Sequence, residues 1–159
     1  MSLPPILRSS ALVLLLAALS SGQVLINELD TDVPDTLELF NAGLAPANIG
    51  GWRIENGAIN QSLTWITETY TLPGGVTIAP GGFVVITEGS VSVPAGTPVY
   101  TDPNNIPWPT AGSGARGGDC VLVNGSNQGV DMIIWNNPAG ANNFFGASFT
   151  GSYLPTSAT

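Results

Sequence analysis

The chain has 159 residues, of which 43% are hydrophobic and only 9% charged, with 20 Gly and 13 Pro. That length fits one domain with a sizeable core, and the low charge fraction excludes disorder driven by poor hydrophobicity. Eleven acidic residues stand against three basic ones, all Arg, with no His and a net charge of −8; this excludes a nucleic-acid surface and docking on anionic membranes, both of which need clustered Lys and Arg.

The chain opens with a weakly basic stretch, Met1 to Arg8, then an apolar run over 11–19 (ALVLLLAAL) and a small-residue stop, Ser20-Ser21-Gly22. This is the pattern of a secretory signal peptide, with cleavage expected between Gly22 and Gln23. A short buried N-terminal helix is the competing reading. The run is too short for a membrane span, which needs roughly 20 apolar residues. No second such run follows, so no span is expected after cleavage. The expected location is secreted or cell-surface, extracellular or periplasmic, where an acidic surface also favours solubility.

Val24 to Leu29 suits a first strand, and the acidic, proline-broken stretch Asp30 to Asp35 a turn. Thr36 to Phe40 alternates as a second strand, with Leu37 and Leu39 on one face and Glu38 on the other. Asn41 to Gly51 reads as a loop, Trp52 to Ile54 opens a third strand, and Asn56-Gly57 is a tight-hairpin signal. The pattern blurs from Ala58 to Thr67, strand or helical turn. Glu68 to Leu72 and Val76 to Ile78 read as strands parted by Pro73-Gly74-Gly75. Phe83 to Thr87 is a strand because consecutive β-branched residues favour a pleated, buried setting. Gly89 to Gly118 is loop-rich, with a short strand at Val99 to Thr101. Within it, Pro107-Trp108-Pro109 projects a large aromatic, either a lid over the core or a ligand platform. Cys120 to Val123 and Val130 to Trp135 form a hairpin around Asn124 to Gly129. Beyond Trp135 the chain is polar and small, with Phe144, Phe145 and Phe149 as large anchors. The stretch from Tyr153 to Thr159 carries no folding signal and reads as a frayed tail or the start of a truncated element. Many short strands with Gly- and Pro-rich turns indicate an all-β sandwich or barrel.

Conventional catalytic apparatus is missing. Without His or Lys, a Ser-His-Asp triad, a Cys-His pair and a Schiff-base lysine are all impossible. Cys120 is the single cysteine, so no intrachain disulfide forms, and a buried inert thiol is expected. One Cys and no His also fall short of a zinc site, and no phosphate-cradling motif occurs. Glu28 and Glu38 could serve as an acid–base pair, or act structurally by accepting backbone or Arg53 hydrogen bonds. Glu28, Asp30, Asp32 and Asp35 put four carboxylates around one turn, a candidate calcium site completed by loop carbonyls. The alternative there is a solvated acidic turn. Asn60-Gln61-Ser62 and Asn124-Gly125-Ser126 are glycosylation sequons in a eukaryotic setting.

Several ordered blocks resemble one family. Ile26-Asn27-Glu28, Asp35 to Asn41 (DTLELFN), Gly51-Trp52, Tyr70 to Gly75 (YTLPGG) and Ile78 to Val85 (IAPGGFVV) resemble the lamin-tail domain. Gly118-Asp119, Val121 to Val123 and Gly129 to Asp131 resemble its closing hairpin. The resemblance implies an immunoglobulin-like β-sandwich over 23–136, after the signal peptide 1–22 and before a polar C-terminal extension 137–159. Thr36 stands where the family often has Trp, and Ala42 where Pro is common. The family includes exported bacterial proteins, alone or beside hydrolase and calcium-associated modules, and the leader puts this chain with those. The expected function is a non-catalytic structural or binding module, not an enzyme, with a protein or surface polymer as partner. Trp65, Trp108 and Trp135 are the candidate contacts. The alternative is an accessory domain of a larger secreted hydrolase, with calcium in the acidic turn.

Overall fold

Strict alternation makes Thr36–Asn41 a strand: Leu37, Leu39 and Asn41 are buried, while Thr36, Glu38 and Phe40 stand on the other face. The same logic repeats along the computed structural model, which describes residues 23–59, 65–108, 117–135 and 152–153. The leader 1–22, the sequon Asn60 to Ser62, the anchors Phe144, Phe145 and Phe149, and most of the C-terminal extension lie outside the described residues. In chain order the described strands are β1 (Val24–Asp30), β2 (Thr36–Asn41), β3 (Ala47–Asn48), β4 (Arg53–Ile59), β5 (Trp65–Thr71) and β6 (Thr77–Ile78). They continue with β7 (Phe83–Thr87), β8 (Val99–Thr101), β9 (Gly118–Val123), β10 (Gln128–Trp135) and β11 (Ser152–Tyr153).

These strands form an all-β, sandwich-like arrangement. One sheet runs β1-β2-β7-β8, the other β11-β10-β9-β4-β5, and β3-β6 makes a small third ladder. Ile26, Leu37, Leu39, Val84 and Ile86 from the first sheet meet Ile54, Tyr70, Cys120 and Leu122 from the second in one core. Cys120 is fully buried among them, an inert thiol that burial pushes well above its ordinary pKa. No helix among the described residues is long and apolar enough to cross a membrane.

Three features close the sandwich. Asp131 of β10 accepts the Ile26 amide of edge strand β1 at 2.9 Å through Oδ2, tying one sheet to the other. Buried Asn41 donates through Nδ2 to the carbonyls of Ala45 and Ile78 and accepts the Gly43 amide, pinning loop 42–46 beside β6. Residues 102–108 form a strap that plants Ile106 and Trp108 in the core. Trp108 is therefore a lid.

The chain departs from its sequence pattern in particular places. Asn56-Gly57 forms no hairpin turn but lies inside β4, where Asn56 is opposite Glu68 and Cys120 and Gly57 opposite Thr67 and Asp119. A central strand flanked on both sides by ladders overrides the local turn preference, and Asn56 donates its buried amide to Glu68 at 3.0 Å. The 41–51 loop contains β3, which pairs with β6. Thr67 is extended in β5, which settles that part of the blurred stretch as strand. Tyr153, the first residue of the stretch read as a frayed tail or a truncated element, pairs with Gly129 beside Ser152 and Gln128 in a short parallel ladder, and 154–159 lie outside the described residues.

Candidate functional site

The register of the four-stranded sheet decides what its outer face carries. A bulge between Ile26 and Glu28 in β1 turns Glu28 outward, directly opposite Glu38 of β2, which in turn faces Val85 of β7. The next row is Asp30, Thr36 and Thr87. At the other end of the face Phe40 and Phe83 stack with ring centroids 4.8 Å apart.

Two carboxylates directly opposite on neighbouring strands repel each other. Asn27 relieves part of this by donating its amide to Glu38 Oε1 at 2.7 Å. Among the described residues no basic group helps: Arg53, from the opposite sheet, is engaged with Glu55 at 2.9 Å and Asn127 at 2.6 Å. Arg116 lies outside the described residues.

The segment after β7 folds back over this face. Gly89 makes that approach possible, because a side-chain carbon there would come within 2.8 Å of Pro34 Cβ. The result is a cleft of about 490 Å³. Its walls are Glu28, Asp30 and Glu38, the hydroxyls of Thr36, Ser90 and Ser92, and the apolar Pro34, Val85, Val91, Val93 and Pro94. An anionic, hydroxyl-lined cleft with apolar walls suits a cation carried on an aliphatic stem.

The four residues of the candidate calcium turn are thus divided. Glu28 and Asp30 line the cleft. Asp32 is exposed, and its amide donates to Asp30 Oδ1 at 3.0 Å. Asp35 is only 3% exposed, with Oδ1 lacking a partner and its amide donating to Glu88 Oε1 at 3.3 Å. Burial, followed by the charges of Glu88, Asp30 and Asp32, pushes its pKa up to about 7. Among the described residues no group of three or more His, Cys, Asp or Glu is arranged to hold a metal ion.

Of the three tryptophans considered as contacts, Trp108 is buried in the core, Trp65 begins β5 and Trp135 ends β10. Sequence reasoning missed the 90–94 wall altogether. Its one signal was Ser-Val-Ser-Val after Gly89, an alternation suited to covering a neighbouring surface but attributed to loop.

A family model described as Lamin Tail Domain matches residues 17–137. None of the curated proteins compared with the chain matches it.

Proposed function

The chain belongs to the lamin tail domain family, and from that premise we propose that it is a non-catalytic binding module working outside the cytoplasm, its contact surface the cleft on the outer face of the four-stranded sheet. The ligand class is cationic: a Lys- or Arg-bearing segment of a partner protein. One observation carries this reading. Glu28 and Glu38 oppose each other across β1 and β2 in the lining of one cleft, a like-charge arrangement that costs stability and is relieved when a ligand brings positive charge.

An acid–base reading of the same pair has less support, because Glu38 Oε1 is already engaged by the Asn27 amide. Export rests on the leader pattern and on the acidic, lysine-free composition.

The test is fluorescence anisotropy of a labelled oligo-lysine peptide against the protein at low salt. Binding should weaken with added salt and fall in E28Q/E38Q. It should persist in D32N/E55Q, which removes the same charge away from the cleft. Equal loss in both double variants would reduce the effect to net charge and contradict the site. Calcium is the competing cation, since Glu28 and Asp30 of the acidic turn line the same cleft. Displacement of the peptide by calcium beyond that by sodium at matched ionic strength would make a metal the occupant instead.

A further inference from the structure

We propose that Glu68 and Asp102 share one proton and so form a pH-operated clasp between the two sheets, which fastens the strap 102–108 over the core. Glu68 sits on β5 in the row Cys120, Asn56, Glu68 of the five-stranded sheet. Asp102 directly follows β8 of the four-stranded sheet and is 1% exposed. The Asp102 amide donates to Thr87 O at 2.9 Å, and its Oδ1 accepts the Asn104 amide at 2.9 Å. Asn104 also reaches Glu68 Oε1 through Nδ2 at 3.4 Å, so one residue of the strap touches both acids, one through its backbone amide and the other through its side chain. Asn56 holds the other Glu68 oxygen at 3.0 Å.

What is missing is a hydrogen between the two acids. Asn104 brings them to either side of one residue, yet two carboxylates have none to share, and Asp102 Oδ2 is buried without a donor. A proton on one of them completes the bond. Among the described residues no cation takes its place, since Arg53 is engaged with Glu55 and Asn127. The other titratable groups facing the pair are Glu88, whose Oε2 accepts the Ile106 amide at 3.1 Å, the phenols of Tyr70 and Tyr100, and the buried Cys120 thiol. Burial is the first cause raising both carboxyls above their ordinary range.

The direction follows. The closed clasp holds its proton more tightly than the open one, where both acids meet water. Opening therefore releases a proton and becomes easier as pH rises. Above the clasp's own pKa the two anions repel, and the strap lifts Ile106 and Trp108 out of the core. The device is independent of the acidic cleft.

Backbone hydrogen exchange in the whole protein tests it, from about pH 5 to about pH 8, a range that begins above ordinary carboxylate pKa values. Protection of the Ile106 and Asn104 amides, corrected for intrinsic exchange rates, should fall with pH by up to about tenfold per unit for one released proton, while Val84 in β7 holds. E68Q offers Asp102 a permanent amide donor and should leave strap protection flat. The idea is overturned if wild-type strap protection does not change with pH, if Val84 falls in parallel, or if E68Q keeps the wild-type slope. Should E68Q fail to fold, the wild-type comparison of Ile106 with Val84 decides alone.

Discussion

At the scale of single residues, the acidic side chains break ordinary rules of stability, and each breach has a consequence. Glu28 faces Glu38 across paired strands, so E28Q should raise stability by about 0.2–1 kcal/mol while weakening oligo-lysine binding. Urea unfolding beside the anisotropy assay checks both. A variant that loses stability along with binding would mean that Glu28 serves the fold. Asp35 acts through pH. Folded, it keeps its proton up to about 7; unfolded, it gives it up near 3.8. The folded state therefore binds the extra proton between those values, so this residue's contribution is greatest below that window and is lost as pH rises through it. D35N should be indistinguishable from wild type in acid and more stable than it above neutrality. Melting both proteins across the range tests this, and a wild type that gains on D35N with rising pH would contradict the sign.

At the scale of elements, two contacts hold the sheets and loops in place. Asp131 covers one amide of edge strand β1, a device that joins β10 to it and leaves less open edge for another chain. D131A should lose about 1.5–3 kcal/mol, as expected for a hydrogen bond to a charged group, with faster exchange at Ile26. Gly50 lies where the 49–51 corner crosses 73–75, and a side-chain carbon there would stand 2.6 Å from the Gly75 nitrogen. G50A should cost about 1–3 kcal/mol through forced displacement of backbone, read by denaturant midpoint.

The same scale separates what the sequence revealed from what it concealed. β2 and β7 were legible because period-two alternation and a β-branched run are local signals. The hairpin of β9 and β10 was legible from its polar, Gly-containing connection. Asn56-Gly57 misled because its surroundings are non-local: its ladder partners, Glu68 and Thr67 on one side and Cys120 and Asp119 on the other, come from ten or more positions away. The acidic turn was correctly seen as charged, but the burial of Asp35 depends on contacts from Thr87 and Glu88, far along the chain. The cleft was hidden for the same reason, since one wall comes from β1 and β2 and the other from 90–94.

At the scale of the whole molecule, one core joins both sheets without a disulfide, so stability rests on packing. Leu39, fully buried in β2, should lose about 2–5 kcal/mol on change to Ala. That arrangement leaves the outer face of the four-stranded sheet free to carry charges that the core could not accept. The central claim is that this face meets cationic partners, and the most direct measurement is an amide chemical-shift map of the protein titrated with oligo-lysine at low salt. Shifts should gather on β1, β2, β7 and residues 90–94, with β4 and β9 silent. Shifts spread evenly over the acidic residues, or centred on the five-stranded sheet, would contradict it.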